Sequence, residues 1–226
     1  MPIDPNHPLV HFAPELGVAI RTPVVTLASP TMDELARLAE RAGEGIHAPD
    51  AMPFSTAWTR GSADEVASRV VRHWLRTVGA NEATPIATLP FVVFHPTEGP
   101  IGVQDLVLAR GWPSLATVST GSWLTAAAQG RGIGTWMRRA VLTLAFRHLG
   151  AARAETTAHA DNLASRRVSE KVGYREVGTS IALVEGRERL LVHYRLERGD
   201  VEDDPSIIVT GLGPEVLKRL MAIPAT

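Results

Sequence analysis

The sequence predicts a domain built on a mixed sheet with helices packed against it, α/β or α+β in class, and three observations support this. Strand-type and helix-type patterns alternate from Thr117: β-like at Thr117–Leu124, helical over 135–149, β-like at Arg153–His159, then helical again after Asp161. Two runs rich in apolar and β-branched residues, 86–94 and 101–108, flank the turn-like Pro96-Thr97-Glu98-Gly99-Pro100, and with 117–124 they make a three-stranded meander. Near the end, Leu190, Val192, Tyr194 and Leu196 alternate opposite residues 177–184 across Gly186, as in a second hairpin.

Each element follows from its local pattern. Residues 1–17 carry four prolines and read as an extended arm. Val18–Ile20 and Val24–Leu27 suggest short strands broken at Pro23. Thr31-Met32-Asp33-Glu34 is a capping-box pattern, and Leu35, Leu38, Ala39 and Ala42 follow at helical spacing until Gly43. Residues 43–61, with His47, Pro49, Asp50, Pro53, Phe54, Trp58 and Arg60, have no period, and long structured loops of this kind are often functional. Ser62-Ala63-Asp64-Glu65 repeats the cap, and Val66, Val70, Trp74 and Val78 form a stripe ending at Gly79. Pro90 makes its strand interrupted or an edge.

The helix over 135–149 shows Met137, Val141, Leu144, Ala145 and Leu149 on one face, with Gly150 as its stop; Trp74 and Phe146 are expected in the core. Asp161 reads as the N-cap of a short helix that carries Leu163, Ala164, Val168 and Val172 and stops at Gly173. Beyond an acidic linker at 199–205 come a β-like 207–209 and a short helix from Pro214 to Met221. The expected organisation is one domain over 1–198 with an extension, 199–226, packed on it or on a partner subunit.

Composition excludes several classes. Apolar residues make up 45% of the 226 and charged ones 21%, which suits a globular chain able to bury a core. A formal net charge of -1 gives no footprint for nucleic acid. The absence of cysteine removes disulfides, thiolate metal sites and acyl-cysteine chemistry. No run of about 18 apolar residues marks a membrane helix. The N-terminus lacks the basic and apolar regions of a secretory signal, so a cytoplasmic setting is expected. His7 and His11 lie four apart in the proline-rich arm, and no metal is expected there.

Gln129-Gly130-Arg131-Gly132-Ile133-Gly134 lacks the lysine of a P-loop and the spacing of a dinucleotide fingerprint. What remains is a turn that exposes successive backbone N–H groups at the positive end of the following helix, with Arg131 as a side-chain cation. That suits a pyrophosphate, and a glycine-rich connector without a ligand is the alternative.

Gly121-Ser122-Trp123-Leu124 before the turn, and the run from Asn162 through Ser165, Glu170, Lys171 and Gly173 to Tyr174 after it, resemble the GNAT superfamily of acyl-CoA-dependent N-acyltransferases. Within it, the likeness is to the branch of the RimJ/RimL ribosomal-protein acetyltransferases. The Q-x-x-G-x-G turn and the N-x-x-S-x-x-V-x-E-K-x-G-[FY] pattern both match, over about residues 117–179. The resemblance implies an α+β fold: a mixed, mostly antiparallel central sheet flanked by about four helices, with a short C-terminal extension.

It also implies acetyl-CoA, or another short acyl-CoA, bound by Gln129, Gly130, Arg131, Gly132, Ile133, Gly134 and Thr135, with its pyrophosphate on the N–H groups from Arg131 to Thr135 and its pantetheine along Leu124, Thr125 and Ala126. Asn162 and Ser165 would face the thioester, local capping being their alternative role. The implied reaction is direct attack by a primary amine in a ternary complex, on a small molecule or a protein N-terminus. A non-catalytic acyl-CoA sensor on the same fold is the second reading.

Ser169 stands where many members have a tyrosine acid, so Ser165 is the candidate to protonate the departing thiolate. Ser119 stands where the branch often has a glutamate, which leaves Asp105, Glu155, His159 and His47 as candidate general bases. Asp50, Phe54 and Trp58 are candidates for the acceptor side. Arg138, Arg139 and Arg147 read as a solvated face that includes a candidate for the cofactor's 3′-phosphate. Neither nucleic acid nor membrane is an expected partner, and a homodimer is compatible with the sequence.

Overall fold

A computed structural model describes residues 2–4, 6–81, 87–109 and 111–222. The expected strand start at Ile86 lies outside them. In chain order the elements are α1 (Pro8–Phe12), β1 (Ala19–Arg21), β2 (Thr26–Ala28), α2 (Met32–Gly43), α3 (Ala63–Ala80), β3 (Thr88–His95), β4 (Gly99–Leu108) and β5 (Thr117–Leu124). There follow α4 (Ile133–Thr143), β6 (Arg153–His159), α5 (Leu163–Val172), β7 (Arg175–Val184), β8 (Arg187–Glu197), β9 (Ile208–Thr210) and α6 (Pro214–Leu220).

The strands form one nine-stranded sheet in the order β7-β8-β6-β5-β4-β3-β2-β1-β9. Every neighbouring pair is antiparallel except β5 and β6. That parallel pair meets only where Thr117, Val118 and Ser119 face Arg153, Ala154 and Glu155. Beyond Ser119 the register stops while both strands run on, so the sheet parts into a slot between them.

Side chains alternate between the two sheet faces. On one face Phe91, Val93, Leu106, Leu108 and Val118 pack with Met137, Val141 and Leu144 of the α4 segment. On the other, Val92, Phe94 and Val103 pack with Leu35 and Leu38 of α2 and with Val66, Val70 and Trp74 of α3. Each such aliphatic side chain contributes about 1.5 to 3 kcal/mol by leaving water. Trp74 and Phe146 are buried, as expected.

Several boundaries differ from expectation for physical reasons. The proline-rich arm is not extended throughout: Pro8 takes the first turn of α1, where its missing N–H costs nothing, and the His7 ring accepts the Leu9 N–H. A 3-10 turn, Pro14–Gly17, follows. Pro90 neither interrupts β3 nor places it at the sheet edge, because the β2 register ends at Ala28 opposite Val92 and leaves Pro90 no donor to supply on that side. α4 starts at Ile133 rather than Thr135, and its last turn widens into a π turn over Leu144–His148. The cap of α5 is Asn162, whose Oδ1 accepts the Ser165 N–H at 3.1 Å, rather than Asp161, which pairs with Arg189.

Among the described residues there are six helices; α2 to α5 are the expected four, α6 lies in the C-terminal extension, and α1 was unforeseen. β9 pairs with β1, the Trp112 ring N–H donates to the Leu220 carbonyl at 2.7 Å, and Arg219 joins Glu15 and the Asn81 carbonyl.

Candidate active site

The glycine turn leads into α4 without a side-chain cap, since Gly132 is the cap residue and has none to offer. Gly130 and Gly132 hold φ of 72° and 79°, a left-handed conformation that other residues adopt at a cost. Among the described residues no backbone or side-chain acceptor takes the N–H groups of Arg131, Gly132, Ile133 or Gly134, whereas Thr135 N–H returns to the Gly132 carbonyl at 3.1 Å. A Cβ on Gly134 would stand 3.2 Å from Val168, so this glycine lets α4 approach α5 closely. Free donors at a helix start form an anion cradle.

β5 ends one short turn before that cradle. The Thr156 hydroxyl donates to the Thr120 carbonyl at 3.2 Å, so Thr120 faces β6; the Thr125 N–H donates to Ile101 on the β4 side. Backbone direction alternates along a strand, so Ser122 and Leu124 face β6 as well, past the point where pairing has ended. Their N–H groups open onto the slot. The Leu124 carbonyl is taken by the Gln129 side chain at 2.9 Å, which also donates to Ile46 at 2.7 Å. Gln129 therefore braces the slot against the 44–62 loop. Thr125 is buried, and Ala126 opens a 3-10 turn, Ala126–Ala128.

Arg131 is not a free cation: it pairs with Glu98 of the β3–β4 turn at 2.7 Å, and His95 stands 3.1 Å from the same carboxylate. The Arg131 bond holds Glu98 below the usual carboxylate range. Arg138 departs from the expected solvated face, being buried and stacked 5.8 Å from the Tyr174 ring centroid; Arg139 lies over Trp136, and Arg147 pairs with Asp203. Asn162 caps α5, and the Ser165 carbonyl accepts the Ser169 hydroxyl at 3.2 Å.

The sheet face that carries α2 and α3 continues beyond β4. Ser119, Gly121 and Trp123 lie there on β5, with Glu155, Thr157 and His159 on β6 and His193 and Arg195 on β8. His47, Phe54, Trp58 and Trp123 form a ladder of rings with successive centroids 5.9, 5.0 and 5.6 Å apart. Arg60 in the loop pairs with Glu185 at the β7–β8 turn at 2.7 Å, bridging the two sides of this cleft.

The candidate bases differ in what surrounds them. Glu155 is bound by Arg195 at 2.8 Å. Both His47 nitrogens are engaged, at 2.8 Å by the Ala48 carbonyl and at 2.7 Å by Thr59. His159 is 2% exposed with neither nitrogen bonded, and burial pushes its pKa down. Asp105 pairs with His73 of α3 at 3.8 Å, which raises the His73 pKa. Composition and spacing gave no hint of His73, Gln129 as a brace, or the Ser180–His193–Thr157 chain with its 2.7 and 3.1 Å contacts.

Residues 80–175, which span the uncapped helix start and the parted strands, match the family model of an acetyltransferase (GNAT) domain. Over that stretch the chain is similar to GNAT acetyltransferases. With the domain comes the class of an acyl-CoA-dependent N-acetyltransferase. Solved GNAT structures share the fold. RimJ of Mycobacterium smegmatis, in complex with CoA-disulfide, is 22% identical with a TM-score of 0.63, over 83% of this chain and 90% of that one. A GCN5-related N-acetyltransferase of Brucella melitensis is 20% identical with a TM-score of 0.57, over 80% and 79%. The ribosomal-protein-S5-alanine acetyltransferase of Vibrio fischeri is 14% identical with a TM-score of 0.62, over 82% and 99%. Among the described residues no helix is long and apolar enough to cross a membrane.

Proposed function

We propose that this GNAT domain transfers an acetyl group from acetyl-CoA to a primary amine, on a protein N-terminus or a small molecule. The observation that carries the reading is the slot between β5 and β6, lined by the Ser122 and Leu124 N–H groups and ending at the uncapped N-terminus of α4. The residues fit the ligand: four adjacent free N–H groups suit a pyrophosphate, and an open strand edge suits an amide-bearing arm. When bound, acetyl-CoA supplies the acetyl group as a thioester. The turn from Gly130 to Thr135 holds its anionic part, and Leu124, Thr125 and Ala126 line its arm.

The Leu124 N–H is fixed by the sheet and can donate to a carbonyl oxygen as charge grows on it, without reorganising. Asn162 and Ser165 begin α5 at the far side of the slot, and the Ser165 hydroxyl is the group that returns a proton to sulfur. The acceptor enters from the opposite sheet face, over Trp123 and against Phe54 and Trp58, with Asp50 at the rim. The ribosomal-protein acetyltransferase among the structural neighbours supports a protein acceptor.

A CoA-release assay across primary amines and N-terminal peptides, with acetyl-CoA binding measured by calorimetry, tests the reading. Turnover is expected, and Gly132→Glu should abolish binding by placing a carboxylate in the anion cradle. Tight binding without turnover on any amine favours a sensor, a reading motivated by Ser119 and Ser169 in place of a carboxylate and a phenol. Unaltered binding by Gly132→Glu overturns the placement of the cofactor.

A further inference from the structure

We propose that Asp105 is the general base of the transfer and that His73 is the positioning residue that holds its carboxylate. The assignment rests on the acetyltransferase reading above and deepens it.

Asp105 lies on β4 directly opposite Gly121 of β5, on the acceptor face, and one residue from Ser122, whose N–H opens onto the slot. Nothing stands within 4 Å of where a Gly121 side chain would begin, so the way from β4 across β5 is clear. β4 and β5 are one strand spacing apart, about 4.8 Å, so a carboxylate on β4 comes to an amine seated over Gly121 through one intervening water. Its Oδ1 is buried without a hydrogen-bond partner, and its Oδ2 stands 3.8 Å from His73 Nε2. A buried carboxylate oxygen with nothing to accept is costly to keep unless it receives a proton or a donor during function.

The surrounding charges leave this group available. His73 and, behind it, Arg76 approach from α3; Pro90 on β3 brings no charge; Glu155 on β6 is held by Arg195 from β8. His47 has both nitrogens engaged, and His159 is sealed from solvent. Asp105 is the carboxylate at this face, among the described residues, that touches no arginine or lysine and lies directly opposite β5.

The proton balance closes. The acceptor ammonium gives one proton to Asp105, and the freed lone pair attacks the thioester carbonyl carbon. The N–C bond forms and the C–S bond breaks. The nitrogen's second proton goes to sulfur by way of Ser165, which leaves an amide and a thiol, and Asp105 releases its proton to solvent.

The test takes the best acceptor from the amine and peptide panel and follows kcat/KM across pH for the wild-type chain, Asp105→Asn, Asp105→Glu and His73→Gln, with acetyl-CoA Kd and Tm in parallel. Asp105→Asn should lose about 10²- to 10⁴-fold at neutral pH with Kd and Tm kept. Its rate should then climb about tenfold per pH unit towards the pKa of the amine, where no base is needed. Asp105→Glu should restore part of the rate, and His73→Gln should lower kcat with KM and the acetyl-CoA Kd kept, because the carboxylate loses the group that holds it. A loss that is equal at every pH, or no loss, overturns the base while acetyl transfer stands. A wild-type chain that binds acetyl-CoA and acetylates no amine overturns the underlying reading and the base with it.

Discussion

His159 couples protonation to stability. Its imidazole is buried and unbonded, so the charged form is disfavoured in the folded chain, and its pKa lies below the ordinary 6.5. A depressed folded pKa means that the unfolded chain binds more protons, so the contribution is full above 6.5 and is lost as pH falls through the folded value. His148, lowered by burial and Arg147, acts with the same sign, while His73, raised by Asp105, contributes below 6.5 and loses its share as pH rises. Urea midpoints measured from about pH 8 to about pH 5 should therefore fall on acidification, and His159→Leu should flatten that slope. The same substitution should leave stability at neutral pH within about 1 kcal/mol, since an unbonded polar ring is exchanged for an apolar one. That His159 is buried was not legible, because the burial of a side chain at a strand end depends on packing at long range. The missing carboxylate at Ser119 was legible and Asp105 stood among the candidate bases, but its partner His73 lies on another element.

The turn-to-helix element is where sequence and structure agree most closely, since glycine spacing and helical period are local properties. Ser62 and Glu65 form the full capping box read from the sequence, and Ser62→Ala should cost about 1 kcal/mol in chemical unfolding. Asn162 rather than Asp161 caps α5 because the chain turns one residue later, with the Asn162 N–H returning to the His159 carbonyl at 2.9 Å. No local pattern distinguishes two adjacent capping residues. Arg131 is the contrary case: its partner Glu98 is 33 residues away, in the β3–β4 turn, and only the folded sheet brings them together. In the proposed complex Glu98 would compete with the cofactor's anion for this arginine. Glu98→Gln should therefore tighten acetyl-CoA binding at low salt, by up to about fivefold given the small worth of exposed pairs. Titration calorimetry of both forms at two ionic strengths checks this, and the difference should shrink as salt rises.

At the scale of the molecule, the sheet joins chain ends that are nearly 200 residues apart, with Ile20 opposite Val209. Gly211 makes the junction feasible: at φ +79°, a Cβ there would stand 2.0 Å from the Gly17 carbonyl oxygen. Gly211→Ala should cost about 2 to 4 kcal/mol through overpacking and backbone strain, visible as a lower Tm. Strand order was legible only in part. The β3-β4-β5 meander and the β7-β8 hairpin follow from local turns, but the insertion of β6 between β5 and β8 and the return of β9 to β1 are contacts at long range. The short register between β5 and β6 also sets a clock. Ser122 and Leu124 lie on a strand with five others on one side and three on the other, yet their amides face no carbonyl. They should take up deuterium at the pace of a sheet edge while their neighbours Gly121 and Trp123 lag behind. Bound acetyl-CoA should slow this uptake, so that in a timed exchange experiment a mid-sheet strand shows whether its missing rung has been supplied.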